Sequence, residues 1–402
     1  MIVRNLYLQR MKAYIERPEI KIITGTRRSG KTTLIMQMMN ELKKDGVNSE
    51  NIIYMDFESL MYLYLNKTED FKNLLWSVLE SKNGHCYLFL DELKGVDRWA
   101  LVCREISENF DCDIFAISST KSVMYEGFDS DLCYCYVNIE IFPLLFSEYL
   151  ELIKGRTGYQ GKNMNELFLE YIRKGSFPAV YSMDDNVIGN YLKDTYSSII
   201  LKDVVQFNNL RDISHIDKIM SYIMDHIGEI FSPKMIKDYI KERGLTISVD
   251  TIYSILDALI AAGVIFKVQR YDIKTSKTLE TQEKYYVCDL NMRSQVTGDF
   301  SIGFEQAIEN TLYMELMSRG FKVSLGKIGK YIIDFRAEKN QDVTYINCCY
   351  KLDSEEKIDE KFTPLLKIRD NYFKMVISMD EATVINKGGI INYPLISFLK
   401  QE

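Results

Sequence analysis

At 402 residues the chain exceeds one ordinary core, and at about 100–200 residues per domain it points to two or three domains. With 47% apolar residues and a net charge of −7, each domain can bury a core, and a globally basic nucleic-acid surface is disfavoured while a local basic patch stays open. The eight cysteines show no Cys-x-x-Cys or Cys/His spacing, so they read as reduced thiols rather than zinc ligands.

The N-terminal stretch "MIVRNLYLQRMKAYIERPE" lacks the apolar core of a signal peptide, and no run approaches ~18 uninterrupted apolar residues. A cytoplasmic protein without a membrane span is expected. Short apolar runs then alternate with helical patterns: "IKIIT", the helix from Lys31, "NIIYMDF", "FKNLLWSVLE", "CYLFL", "RWALVCREI", "DIFAISS" and "YVNIEIF". Strands alternating with helices of this length predict a mostly parallel sheet covered on both faces, an α/β nucleotide-binding architecture.

A polar linker, "KGRTGYQGKNMN", follows "PLLFSEYLELI". From Asn165 to about Asp212 the pattern is helical, broken at "KGSFPAV", where Gly175 and Pro178 require a turn. Next, "IFSPKMIKDYIKERG" and "ISVDTIYSILDALIAAGVI" predict two helices, each opened by a capping residue. Two β-rich runs, "FKVQRYDIK" and "KYYVCD", flank the polar loop "TSKTLETQE". Helix, turn, helix, hairpin is the shape of a winged helix. A last α/β segment opens with an amphipathic helix carrying Ile308, Leu312 and Leu316 and continues through "KYIIDFRA" and "VTYINCCY".

The stretch "GTRRSGKT", Gly25 to Thr32, has the spacing of a phosphate loop. Its glycines let the backbone curl so that successive N–H groups converge at a helix N-terminus, where the helix dipole also favours anions. Lys31 can reach the β/γ-phosphates and Thr32 can offer its hydroxyl to Mg²⁺; Gly25, Thr26, Arg27, Arg28, Ser29, Gly30 and Thr33 complete the cradle. The run "YLFLDE" is its complement. Asp91 at the strand end can hold the water shell of Mg²⁺, and Glu92 can orient and deprotonate an attacking water. On the next strand, the hydroxyls of Ser119 and Thr120 either lie beside those carboxylates and sense the γ-phosphate or simply end the strand in a turn.

The order "ITGTRRSGKTTL", "YLFLDEL", "FAISST", "IEIFPLLFSEYL" resembles the prokaryotic AAA-type ATPases whose P-loop domain precedes a C-terminal domain of unknown function. Later landmarks, "YIRKGSFPAVY", "YLKDTYSSIILKDVV", "FSPKMIKDYI", "KYYVCDLNMR", "AIENTLYMELMSRGF" and "YIIDFRAE", extend the resemblance over nearly the whole chain. It implies a P-loop AAA-like ATPase domain over 1–155, a helical connector over 165–212, a winged helix over 213–292 and a PD-(D/E)xK nuclease-like domain of restriction-endonuclease-like fold over 300–402. ATP and Mg²⁺ are the implied cofactors, and the C-terminal half is the implied contact for a protein partner or DNA. Relatives of this type commonly work as homo-oligomers.

Two departures modify that expectation. Where the family carries a Gly-Arg pair whose arginine could act on a neighbouring subunit's γ-phosphate, this chain has Cys135. An arginine finger is worth on the order of 10³–10⁵ in rate, so ATP hydrolysis is expected to be slow. Arg27, Arg28, Arg98 and Arg104 are the substitutes in view. In the terminal domain, Glu309 and Asp334 could serve as the first two acids of a nuclease site, but Asn347 and Cys349 face inward where an acid and a lysine belong, with Lys351 further along the same face. An inherited fold used for binding is favoured over active nuclease chemistry.

The candidate recognition helix "SVDTIYSILDALIAAG" offers Asp250 and Asp257 and no basic residue, while the hairpin offers Lys267, Arg270, Lys274 and Lys277. A nucleotide-driven switch or slow ATPase with a C-terminal binding module is therefore the leading expectation. The alternative is a winged-helix DNA-binding protein or nuclease regulated by ATP. A GTP switch would need Asn-Lys-x-Asp after Asp91, and the near match "NKTE" lies before it.

Overall fold

The structure is a computed structural model that describes residues 2–62, 65, 67–93, 95–126, 136–206, 210, 212–298, 303–381 and 384–401. Cys135 lies outside these residues. The chain divides into two units, one built from Met1–Phe142 with Ala261–Gly263, the other from Pro143–Ile260 with Val264–Glu402.

Among the described residues the first unit holds a five-stranded sheet in the order β2-β3-β4-β1-β5, comprising β1 (Ile20–Thr24), β2 (Ile52–Asp56), β3 (Cys86–Asp91), β4 (Cys112–Ser118) and β5 (Tyr136–Glu140). Every pairing is parallel. All carboxyl ends therefore share one edge, the place where open parallel sheets bind ligands. The strands read as apolar runs because both faces are covered. Leu88, Leu90, Ile114 and Ala116 pack toward α3 (Thr68–Glu80) and α4 (Trp99–Asn109). Phe89, Phe115 and Ile117 pack toward α1 (Asn5–Lys12) and α2 (Lys31–Lys44). Lys21 interrupts "IKIIT" yet is wholly buried, because its ammonium pairs with the equally buried Asp113 and donates to the Arg17 carbonyl at 2.6 Å.

The second unit starts with helices. One of them, Met164–Lys174, is opened by a capping box in which Asn163 Oδ1 accepts from the Glu166 N–H at 2.9 Å and Glu166 returns the bond to the Asn163 N–H at 2.8 Å. The break at "KGSF" has a tertiary cause. The buried Asp289 carboxylate accepts from the Ser176 backbone N–H and, at 2.8 Å, from its hydroxyl. A Cβ on Gly175 would lie 2.6 Å from that carboxylate, and the residue has φ +88°, so glycine is required there.

The helices Pro233–Glu242 and Val249–Ala261 form as expected, but only the second is capped by a side chain. Ser248 Oγ accepts from the Thr251 N–H at 3.0 Å, whereas Ser232 makes no side-chain cap bond and Pro233 supplies the helix start. The hairpin after them is longer than its polarity suggests. β7 (Ile265–Asp272) and β8 (Lys277–Val287) pair down to Asp272 opposite Lys277, so most of "TSKTLETQE" is strand and the turn is confined to residues 273–276. Polar residues there sit on an exposed hairpin whose β-branched threonines suit a pleated backbone.

Among the described residues the unit's sheet has nine strands in the order β13-β14-β12-β11-β10-β9-β7-β8-β6, with β6 at Ile230–Phe231, β9 at Lys322–Ile328, β10 at Tyr331–Lys339, β11 at Asp342–Cys348, β12 at Phe373–Ser378, β13 at Asn386–Lys387 and β14 at Ile390–Pro394. Pairing is antiparallel from β9 to β11 and parallel from β11 through β12 to β14. Among the described residues no helix is long and apolar enough to cross a membrane.

Candidate nucleotide site

The loop from Gly25 to Gly30 leaves β1 and enters α2 at Lys31. At Gly25 a Cβ would lie 2.1 Å from the Ile141 carbonyl oxygen, so the first glycine is dictated by close backbone approach. Gly30, with φ +99°, turns the chain into the helix. Lys31 is buried; its ammonium donates to the carbonyls of Gly25 at 2.9 Å and Thr26 at 3.2 Å and stands 3.9 Å from Glu92 Oε1.

Asp91 ends β3 on the same edge. Its Oδ2 accepts from the Thr32 hydroxyl at 2.9 Å and from the Tyr54 hydroxyl at 2.8 Å. Its Oδ1 is buried with no hydrogen-bond partner among the described residues. Burial, reinforced by the neighbouring Glu92 charge, holds the Asp91 carboxyl above its ordinary value against the opposing bonds from Tyr54 and Thr32. A buried acceptor left without a donor, beside a threonine hydroxyl at a helix N-terminus, is the donor set a divalent cation would take. The Ser29 hydroxyl is likewise buried without a partner.

Glu92 adopts a left-handed backbone with φ +54°. Its Oε2 accepts from the Ser119 hydroxyl at 3.0 Å and from the Ser119 N–H at 3.3 Å. Ser119 thus stands beside the carboxylates. Thr120 does not: its hydroxyl bonds Ser122 Oγ at 3.3 Å. Arg27 reaches Glu58 with both terminal nitrogens, at 3.3 and 3.1 Å, and Ser119 Oγ at 3.4 Å. Arg28 is exposed with φ +67°, Thr33 is half-buried, and Arg98 is exposed with φ +48°. Arg104 pairs with Glu108 on the exposed side of α4.

Two contributors carry no motif. Tyr54 comes from β2, and its phenol is pushed upward by burial and by the Asp91 charge. Arg4 is buried before α1; it donates to the Ser29 carbonyl at 3.0 Å and the Phe142 carbonyl at 2.9 Å, with its guanidinium 4.5 Å from the Tyr7 ring centre. An arginine followed by the helical pattern "NLYLQRMK" is the only local trace of this brace.

In the second unit, Glu309 and Asp334 do meet, but with lysines between them. Lys284 Nζ lies 2.6 Å from Glu309 Oε1 and 3.7 Å from Asp334 Oδ1, and Lys361 Nζ lies 3.4 Å from Asp334 Oδ2. The Tyr286 hydroxyl also donates to Glu309 at 2.5 Å. Burial and the Asp334 charge raise Glu309, while at Asp334 the two lysines overcome burial and hold the carboxyl low. Asn347 is buried and accepts from the Asp334 N–H at 2.9 Å; Cys349 is part of an apolar core; Lys351 is exposed, 5.3 Å from the Tyr350 ring centre.

The parallel sheet, the glycine-shaped loop and the carboxylate strand define a nucleotide-binding ATPase unit of the AAA class. The pattern of the AAA domain matches residues 17–150, and a domain of unknown function matches residues 165–301. The chain is 30% identical over 378 residues to an uncharacterized protein of Haemophilus influenzae, covering 94% of this chain and 93% of that one, and it belongs to the same family. A second relative, an uncharacterized protein of Methanocaldococcus jannaschii, is 28% identical over 381 residues, or 90% of this chain and 83% of that one. Among solved structures, the Aeropyrum pernix ORC1 protein in complex with DNA aligns with a TM-score of 0.31 at 13% identity, over 74% of this chain and 93% of that one. AMPPCP-bound DnaA from Aquifex aeolicus aligns with a TM-score of 0.32 at 14% identity, over 63% and 84%.

Proposed function

We propose that the chain is an ATP-driven switch that hydrolyses ATP slowly and carries a C-terminal binding module. The observation that carries this reading is the meeting of Thr32, Asp91 and Glu92 at one sheet edge, with Asp91 Oδ1 left without a donor. The backbone N–H groups from Thr26 to Thr33 cradle the phosphates, Lys31 neutralises the β/γ pair, and Thr32 with Asp91 holds Mg²⁺. Bound Mg²⁺ supplies charge neutralisation at the phosphates. Glu92 is the base that orients water. Its carboxylate is engaged by Ser119 and sits beside Lys31, which favours slow turnover until a partner or the nucleotide releases it.

For the C-terminal half, the helices Pro233–Glu242 and Val249–Ala261 with the β7–β8 hairpin support a winged helix, and the sheet from β9 to β14 supports a nuclease-like fold. The ammonium groups of Lys284 and Lys361 against Glu309 and Asp334 favour binding over metal-dependent cleavage.

Calorimetry with ATP and Mg²⁺ tests the central claim. Binding that requires Mg²⁺ and disappears in Lys31→Ala is the expected result. No Mg²⁺-dependent binding, or full binding by Lys31→Ala, would overturn it, and turnover of several per second by the isolated protein would overturn slow hydrolysis.

A further inference from the structure

Within the second unit, a cleft of about 770 Å³ lies among the turn after β7, the β9–β10 turn and the segment following the helix Glu355–Leu366. Lys274, Lys330, Lys367 and Arg369 line it, one or two from each wall, and all four are exposed. None of the four makes an ion pair among the described residues, although Lys330 stands 5.4 Å from the Tyr331 ring centre. Among the described residues the one carboxylate in the lining, Asp370, is already committed. It accepts from the Tyr345 hydroxyl at 2.8 Å, from Lys374 Nζ at 2.8 Å and from the Tyr372 N–H at 3.2 Å. Asp272, at the end of β7, is likewise spent on the turn, accepting from the N–H groups of Lys274 and Thr275 at 2.9 and 3.1 Å.

Four exposed cations around one cleft, in a chain of net charge −7, give it a local positive potential that an anion would neutralise. Aromatic faces accompany them. Tyr331 lines the cleft, and Tyr372 and Phe373, at 44% and 55% exposure, stand two and three residues beyond Asp370. A duplex hides the faces of its bases, whereas an unpaired strand can lay them on exposed rings while its phosphates meet lysine and arginine.

We infer that this cleft binds a segment of single-stranded nucleic acid, its phosphodiester backbone on Lys274, Lys330, Lys367 and Arg369 and its bases against Tyr331, Tyr372 and Phe373. This deepens the binding-module reading by naming the ligand, and it is tested without nucleotide so that its failure leaves the ATP site untouched.

The experiment is fluorescence anisotropy of a labelled oligo-dT strand on the full chain, without ATP or Mg²⁺, across a salt series. Four phosphate contacts predict a slope of log K against log salt of about −3. Lys330→Ala/Lys367→Ala should roughly halve that slope and weaken binding at least tenfold, Tyr372→Ala should weaken it without changing the slope, and Lys234→Ala, an exposed lysine elsewhere, should do neither. Because the substituted side chains are exposed, unchanged circular dichroism is expected for each variant. Absence of binding at low salt, undiminished binding by the double variant, or equal affinity for duplex DNA would overturn the inference. Tighter binding of polyglutamate would overturn it in favour of an acidic protein partner, and displacement by millimolar inorganic phosphate would reduce the site to a simple anion pocket.

Discussion

The Tyr54 hydroxyl donates to Asp91 Oδ2 across 2.8 Å, joining the middle of β2 to the end of β3 beside the phosphate loop. Hydrogen bonds to a charged acceptor are worth about 1.5–3 kcal/mol, and this one opposes the upward push of burial on Asp91. Tyr54→Phe removes it. The Asp91 carboxyl then rises further, and because a metal needs the carboxylate, the loss of Mg²⁺-dependent ATP binding on acidification should set in at a higher pH than in the wild type. Calorimetry on both proteins over a descending pH series from about pH 8 checks this; an affinity loss that is the same at every pH would show that Tyr54 acts through packing.

Arg4 ties the phosphate loop to the end of the sheet through the carbonyls of Ser29 and Phe142. Arg4→Met keeps most of the side-chain volume and leaves two buried carbonyls without their donor, at a cost of about 2–4 kcal/mol in stability. Arg4→Lys can satisfy one of the two carbonyls and should recover part of the loss. Nucleotide affinity should fall in the same order, Arg4→Met below Arg4→Lys below wild type. Stability lost with ATP affinity intact would mean that the brace does not shape the loop.

Lys21 and Asp113 test the floor of the same sheet. The pair is buried, and Asp113 also accepts from the Glu16 N–H at 2.7 Å. Removing one partner strands a charge in the core, so Asp113→Asn should cost about 3–5 kcal/mol. Lys21→Met/Asp113→Asn should be less destabilised than Asp113→Asn alone, since the orphaned ammonium is gone. Urea unfolding followed through Trp76 and Trp99, both in the first unit, reads this directly. A double variant worse than the single would contradict the pairing.

These contacts show which parts of the molecule local pattern reveals. "GTRRSGKT" and "YLFLDE" are legible because their chemistry follows from neighbours in sequence: a glycine loop entering a helix, an apolar strand ending in acids. Tyr54 and Arg4 are not, because they act across separations of 37 and of 25 and 138 residues, where only the fold brings partners together. The lysine in "IKIIT" looks exposed until Asp113 of β4 explains it. Polarity misleads in the opposite sense at "TSKTLETQE", where exposed strand residues resemble a loop. Glu309 and Asp334 were recognisable as a pair, yet Lys284 and Lys361 arrive from β8 and from the helix Glu355–Leu366, outside the spacing that a two-acid motif searches.

Glu315, on the helix Phe304–Ser318, gives the second unit a pH dependence of definite sign. Its side chain is 4% exposed, and burial pushes the carboxyl up to about 7 despite the Arg319 guanidinium 2.8 Å away. In the unfolded chain the same carboxyl titrates near its ordinary value of 4.5. Between 4.5 and about 7 the folded state therefore holds a proton that the unfolded state has released. Stability must fall as pH rises through that window, by up to about 3 kcal/mol, and stay reduced above it. Glu315→Gln carries no such proton and should flatten the fall. Urea unfolding followed by far-ultraviolet circular dichroism at pH 5 and pH 8 compares the two proteins. The wild type should lose more stability than the variant over this interval. Equal losses would mean that Arg319 keeps Glu315 ionised throughout, and that burial does not govern this carboxyl.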